Sequence, residues 1–125
     1  SDFKIPPEKK SIMDGPFSIT ALRWKVNAKE MYADFKIRYT GDGLGKVHER
    51  NAKLRTVRGS TFDNMEGSKK PIYLTPLKAL TLRVIHKFKK GETKSKEDFY
   101  VDLKESLFES KPESFDVPDL ELVKR

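Results

Sequence analysis

The chain lacks cysteine, has only two histidines, and contains no apolar run long enough to cross a membrane. The absence of cysteine excludes disulfides, thiolate metal sites and cysteine nucleophiles. A membrane-spanning helix needs about 20 consecutive apolar residues, and no stretch approaches that length. No signal-peptide pattern is present either. Because the chain opens at Ser1-Asp2-Phe3, we expect either a mature or a truncated form, and a precursor with an export signal or lipid anchor stays an open alternative.

Size and composition indicate one globular domain. The 125 residues are too few for two ordinary domains. Charged residues make up 36% of the chain, which is high, yet eight Phe, four Tyr and one Trp supply material for a core. Disorder of the whole chain is therefore not expected.

The net charge of +7 is unevenly distributed. Residues 1–96 hold 22 Lys/Arg against 10 Asp/Glu, whereas residues 97–125 hold 4 against 9. This asymmetry predicts either an anionic partner for the basic part or internal pairing between the two parts.

Local patterns divide the chain into a leader and a strand-rich domain. Residues 1–16 contain Pro6-Pro7 and Gly15-Pro16 and little apolar material, which predicts an extended tether. From Phe17 onward, apolar and polar residues alternate as in half-buried strands. The clearest runs are Leu22–Val26 and Phe35–Tyr39, which a turn at 27–30 joins in a hairpin. Further strands are predicted at 52–57, 71–74, 80–84 and 117–123.

The stretch 95–110 fits two structures. A capping-box spacing from Ser95 to Asp98 and apolar residues at every fourth position favour a short helix near 96–109. The alternation of Phe99, Val101 and Leu103 favours a strand, and we prefer the strand because its neighbours are strands.

About seven short strands at intervals near ten residues predict an all-β fold. We expect an antiparallel, immunoglobulin-like β-sandwich over residues 17–125, with an open barrel as the main alternative.

The motifs examined for catalysis and metal binding do not support either. His48 and His86 lack further ligands at a suggestive spacing, so we interpret them as surface or core histidines. The segment Gly41–Lys46 resembles a phosphate-binding loop, but Thr40 stands where glycine is required and Val47 where Ser or Thr is required. It is predicted to be a hairpin or inter-sheet loop.

Isolated carboxylates such as Asp34, Glu49 and Asp63 would have to meet in space to form a dispersed active site. No nucleophile elbow is present. We therefore predict a non-enzymatic domain without a cofactor.

Basic residues occupy the polar side of the alternating strands. If the strands at 22–26, 35–39 and 80–88 share one sheet, as in an immunoglobulin-like topology, their cations form one outer surface. Its predicted members are Arg23, Lys25, Lys36, Arg38, Arg83 and Lys87.

Two interpretations of this surface remain open. It is either a solvated face that discourages sheet-to-sheet aggregation or a platform for a polyanion. Like charges directly across strands repel, and a partner would offset that cost. Specific binding of single-stranded nucleic acid favours exposed aromatics, yet Trp24, Phe35 and Tyr39 fall on the apolar side. Only Tyr32, Tyr73 and Tyr100 are candidates for outward-facing rings.

The strand layout resembles the telokin-like group, small immunoglobulin-like accessory domains of bacterial envelope proteins and lipoproteins. The shared features are a paired-strand opening at 19–26 and 33–39, a strand ending at Gly59, and Leu74-Thr75-Pro76 before a long strand. The chain departs from the group in having Lys87-Phe88-Lys89-Lys90 where an acidic and aromatic ending is common. The resemblance implies an exported binding or scaffolding module and no specific activity.

The first functional hypothesis is a non-catalytic module of a bacterial cell envelope that contacts a protein or an anionic polymer. The second is a nucleic-acid-binding domain that uses the basic face. A lipid anchor upstream and an exported location are expected under the first, whereas a cytoplasmic location fits the second.

Overall fold

The computed structural model describes residues 2–90, 92 and 98–111. These residues form eleven strands and one 3-10 helix at Glu49–Asn51. The strands are β1 (Asp2–Ile5), β2 (Ser11–Asp14), β3 (Phe17–Val26), β4 (Glu30–Tyr39), β5 (Leu44–Val47), β6 (Lys53–Thr56), β7 (Thr61–Asp63), β8 (Ile72–Leu74), β9 (Ala79–Lys87), β10 (Phe99–Asp102) and β11 (Leu107–Ser110).

The strands pair into three antiparallel sheets. Sheet 1 has the order β2-β3-β4-β9 and contains the three longest strands. Sheet 2 has the order β1-β10-β6-β7, and sheet 3 has the order β11-β5-β8. Every pairing is antiparallel.

One core joins the inner faces of the three sheets. Its buried cluster includes Phe3 from sheet 2, Phe35 from sheet 1 and Val47 from sheet 3. The Phe3 and Phe35 rings meet edge to face, with centroids 5.0 Å apart. Sheets 1 and 2 therefore pack against each other across this core, to which sheet 3 also contributes.

The sequence predicted an antiparallel, immunoglobulin-like β-sandwich. The structure confirms an all-β sandwich built from antiparallel sheets. Over the described residues the strands form three sheets with open edges and no closed barrel. The described residues form eleven strands, whereas about seven were predicted. Several of the eleven are only three or four residues long.

In the ambiguous stretch, the strand preference is confirmed by β10 and β11, and no helix forms within residues 98–109. The predicted closing strand at 117–123 lies outside the described residues.

Residues 2–14 are part of the domain, which corrects the predicted tether over 1–16. β1 pairs along its whole length with β10, and Phe3 and Ile5 are buried in the core. β2 adds to the edge of sheet 1 through β3. The tether prediction was wrong because the partner of β1 lies almost a hundred residues away, so no local pattern announces the pairing.

The glycine-rich loop connects sheet 1 to sheet 3, as predicted. The Tyr39 hydroxyl accepts a hydrogen bond from the Gly43 amide (2.8 Å) and donates one to the Glu109 carboxylate (2.7 Å). A Cβ at Gly45 would lie 2.9 Å from the Tyr39 ring. The glycines thus make room for a buried tyrosine and not for a phosphate. Burial, followed by the nearby Glu109, raises the pKa of Tyr39 above 10.0.

Candidate anion-binding face

Sheet 1 brings all six predicted cations onto one face. The strands β3, β4 and β9 are direct neighbours, and their register alternates a buried side with an outward side. The outward side carries two cations from each strand: Arg23 and Lys25, Lys36 and Arg38, Arg83 and Lys87. We call this surface the basic face.

A β-bulge in β3 determines where two of these cations point. Phe17, Ile19 and Ala21 are buried, so a regular strand would turn Arg23 inward as well. The register shifts between Ala21 and Arg23, and the extra residue, Leu22, reverses the alternation. Arg23 therefore lies outward, opposite Asp34.

Asp34 lies at the centre of the basic face between two arginines. Its Oδ2 accepts a hydrogen bond from Arg23 Nε at 2.7 Å. Arg83 binds the same carboxylate with two donors, Nε to Oδ1 at 2.7 Å and a terminal nitrogen to Oδ2 at 2.8 Å. The Asp34 side chain is only 3% exposed, whereas those of Arg23 and Arg83 are 60% and 40% exposed.

The two arginines keep Asp34 ionised. Burial alone would raise the pKa of this carboxyl, but the hydrogen bonds and charges of Arg83 and Arg23 outweigh it and hold the pKa below 3.8. The same contacts, with Asp34 first among them, raise the pKa of Arg83. Arg83 also stacks over the Tyr32 ring, 4.4 Å from its centroid.

The register avoids direct repulsion between cations on the basic face. Across the strands, Arg23 and Arg83 face Asp34, and Lys87 faces Glu30. Each remaining cation faces a neutral residue: Lys25 faces Tyr32, Lys36 faces Thr20 and Thr81, and Arg38 faces Ser18 and Ala79. Repulsion between cations of neighbouring strands is therefore limited to diagonal pairs, which lie about 7–8 Å apart.

Four of the six cations on the basic face have no acidic partner within the described residues. Lys25, Lys36 and Lys87 form no salt bridge there, and all three are exposed. Arg38 donates to a backbone carbonyl, that of Leu77, at 2.8 Å. The strands of the face carry six basic and two acidic residues, Asp34 and Glu30, and the nearby Glu66 carboxylate also contributes to raising the pKa of Arg83, after Asp34.

The outer face of sheet 2 provides a contrast. It carries three cations, Lys4, Lys53 and Arg55, and each pairs with an aspartate. The partner of Arg55 is Asp2, and the partner of Lys53 is Asp63 at 2.6 Å. Of these three pairs, only Lys4 with Asp98 joins the basic and acidic parts of the chain. Together the pairs balance sheet 2 and leave the basic face of sheet 1 cationic.

The aromatic side chains of β3 and β4 lie as predicted. Phe35 and Tyr39 are buried, and Trp24 packs half-buried against the core. Tyr32 lies on the basic face, but Arg83 covers its ring. Tyr73 is 56% exposed on sheet 3, away from these cations.

The histidines lie away from the basic face. His86 is 6% exposed, stacks on Phe62 at 3.9 Å between centroids and contacts the Glu92 carboxylate at 3.0 Å. His48 packs edge to face against Phe108. These positions fit the predicted core and surface roles. Within the described ranges, no three His, Asp or Glu side chains cluster so that they could hold a metal ion.

The three carboxylates considered for a dispersed active site do not meet. Asp34 lies on the basic face, and Asp63 pairs with Lys53 on sheet 2. Glu49 is buried in the 3-10 helix and accepts the Ser68 amide at 2.7 Å. Sequence reasoning missed the role of Asp34. The signal was present, since Asp34 precedes Lys36 by two residues and so shares its face.

Comparison with known proteins found no matching family model, no similar curated protein and no similar solved structure. The telokin-like resemblance therefore stays a prediction. No helix in the described part of the chain is long and apolar enough to cross a membrane.

Proposed function

We propose that the protein is a non-catalytic binding module whose basic face holds an anionic partner, either a surface polyanion or an acidic protein segment. The observation that carries the proposal is the difference between the two outer faces. Sheet 2 balances its cations with aspartates, whereas sheet 1 exposes three lysines without acidic partners in the described structure. Unpaired exposed cations on one side of a molecule attract an anionic partner over a distance of about one Debye length.

Two neutralising double variants test the location of the site. Lys36→Gln with Arg38→Gln removes two charges from the basic face, and Lys53→Gln with Arg55→Gln removes two from sheet 2. Binding to a sulfated polysaccharide and to polyphosphate is measured between about 50 and 200 mM salt. The first variant should weaken binding about tenfold and lower the salt dependence, because two ionic contacts are lost.

The sheet 2 variant has the same change in net charge and should bind like the wild type. Equal losses in the two variants would mean that net charge alone drives binding, and the proposal would be wrong. Thermal unfolding of both variants establishes that the fold is kept.

The cell envelope is the setting that we propose, on the strength of the telokin-like resemblance. Under this proposal the full-length gene encodes an export signal or a lipid anchor, and fractionation places the protein in the envelope. A full-length gene without either, together with a cytoplasmic product, would contradict the setting while leaving the binding face untouched.

A further inference from the structure

We propose that Arg23, Asp34 and Arg83 form a preorganised clamp for one tetrahedral oxyanion group, a phosphate or sulfate ester carried by the anionic partner. The inference rests on the proposed function, because the clamp lies at the centre of the basic face. The inference specifies the chemical class of the group that the basic face binds.

The triad holds more positive charge than the fold requires. One arginine would neutralise the buried Asp34, yet two bind it. Arg23 uses only Nε, and Arg83 uses Nε and one terminal nitrogen. Both terminal nitrogens of Arg23 and one terminal nitrogen of Arg83 therefore have no acceptor among the described residues, and both side chains are well exposed. Their N–H groups are therefore available to a ligand.

The free donors suit a tetrahedral anion better than a carboxylate. A planar carboxylate fills one guanidinium fork at a time, and Asp34 fills only the Nε-side fork of Arg83, so open donors remain on the terminal nitrogens of both Arg23 and Arg83. The remaining donors come from strands on both sides of β4 and from Lys36, which lies about 6.8 Å further along β4 on the same face. They approach from several directions, and a phosphate or sulfate group has several oxygens to receive them.

Asp34 acts as a positioning residue for the clamp. It holds both guanidiniums through hydrogen bonds, and the Tyr32 ring packs against Arg83. Side chains that are ordered before binding lose less conformational entropy when the ligand arrives. The clamp should therefore bind more tightly than the same two arginines without Asp34.

The first experiment titrates the protein with inorganic phosphate, sulfate and acetate while the arginine Nε–H resonances are followed by NMR. Arg55 is the internal control, because it also pairs with an aspartate, Asp2, and lies over a tyrosine ring, Tyr100. We expect saturable shifts at Arg23 and Arg83 with phosphate and sulfate, weak shifts with acetate and none at Arg55. Equal shifts at Arg55, or tighter binding of acetate, would overturn the clamp.

The second experiment separates geometry from net charge. Asp34→Asn makes the face more positive, so net charge alone predicts tighter phosphate binding, whereas loss of the positioning residue predicts binding weaker by about threefold or more. Arg23→Lys keeps the charge but not the guanidinium, and should weaken phosphate binding about tenfold. Tighter binding by Asp34→Asn, or unchanged binding by Arg23→Lys, would overturn the proposal. Thermal unfolding verifies that both variants fold.

Polymer binding distinguishes the clamp from the proposed function. If Arg23→Lys binds polyphosphate and sulfated polysaccharide like the wild type while the variant at Lys36 and Arg38 does not, the face is correct and the clamp is wrong. If phosphate shifts Arg23 and Arg83 but the wild type binds no polymer, the clamp stands and the proposed function fails. Polyphosphate, a phosphoanhydride polymer, and sulfated polysaccharide, which carries sulfate esters, together show whether the clamp prefers phosphate or sulfate. Preference for polyglutamate, whose charged groups are carboxylates, over both polymers would overturn the assignment.

Discussion

Replacing Asn64 with alanine should destabilise the domain by about 3 kcal/mol, because this side chain completes the open edge of β9. Asn64 follows β7 and is 4% exposed. Its amide nitrogen donates to the carbonyls of Glu49 and Arg83, and its oxygen accepts from the Ile85 amide, each at 3.0 Å. Asn64 thus satisfies backbone groups that a further strand would otherwise satisfy.

The magnitude follows from the number of bonds lost. A hydrogen bond contributes about 1 kcal/mol net, and a buried group left unpaired costs about 1–3 kcal/mol. Three bonds of good length end on Asn64, and two of them are with β9. Their sum is about 3 kcal/mol, a large share of the 5–15 kcal/mol that is typical of domains.

Urea unfolding measures the effect, with the fluorescence of the single tryptophan, Trp24, as the probe. Trp24 lies on β3, two strands away from β9, so its signal reports on the whole domain. Hydrogen exchange at the Ile85 amide provides a local readout, since this group loses its acceptor. Asn51→Ala is the control, because Asn51 makes one exposed side-chain bond, to the Glu105 carbonyl, and should cost less than about 1 kcal/mol.

A loss below about 1 kcal/mol for Asn64→Ala would refute this reasoning. It would mean that water or a shifted loop replaces the side-chain amide at the edge of β9. Unchanged protection of the Ile85 amide would refute it in the same way.

Three further predictions concern the basic face and the turns. Because the pKa of Asp34 is lowered on folding, its stabilising effect relative to Asp34→Asn is full well above pH 3.8 and is lost as the pH falls from 3.8 through the lower folded pKa. Urea unfolding from pH 7 down to about pH 2 measures this, and a constant difference would contradict it. Gly45→Ala should lower the free energy of unfolding by about 1–3 kcal/mol, because its Cβ meets the buried Tyr39 ring; unchanged stability would mean that the ring moves freely. Leu77 has φ of 67° and is 70% exposed, so Leu77→Gly should raise the melting temperature, with a gain in stability of up to about 1 kcal/mol, and a lower melting temperature would contradict the assigned strain.

Alternation of side chains predicted the parts of the fold that depend on local pattern. Phe35–Tyr39 and Leu80–Val84 alternate because one side of each strand faces the core, and both lie in sheet 1 as expected. The hairpin turn is local too, since Asn27 Oδ1 accepts the Lys29 and Glu30 amides. The placement of all six cations on one face followed from this pattern together with the assumption that the three strands share one sheet.

The rest of the fold depends on distant partners or on breaks in the pattern. β1 is four residues long and gains its stability from β10 and from contacts such as Phe3 with Phe35, which sequence spacing does not reveal. The bulge at Leu22 is visible only as a change in which positions are apolar. The aspartates that neutralise sheet 2 come from three different strands or turns, so the charge balance of that face requires the topology.

The register also changes the argument for a partner. If cations faced cations across the strands, relief of repulsion would itself favour binding. In the structure, Thr20, Thr81 and Asp34 separate the cations of neighbouring strands, so the free protein tolerates its basic face. The case for a ligand therefore depends on the donors that remain open, and above all on the second arginine at Asp34. A carboxylate that needs one cation and binds two leaves a positive charge on the surface, held in a fixed geometry by the fold itself.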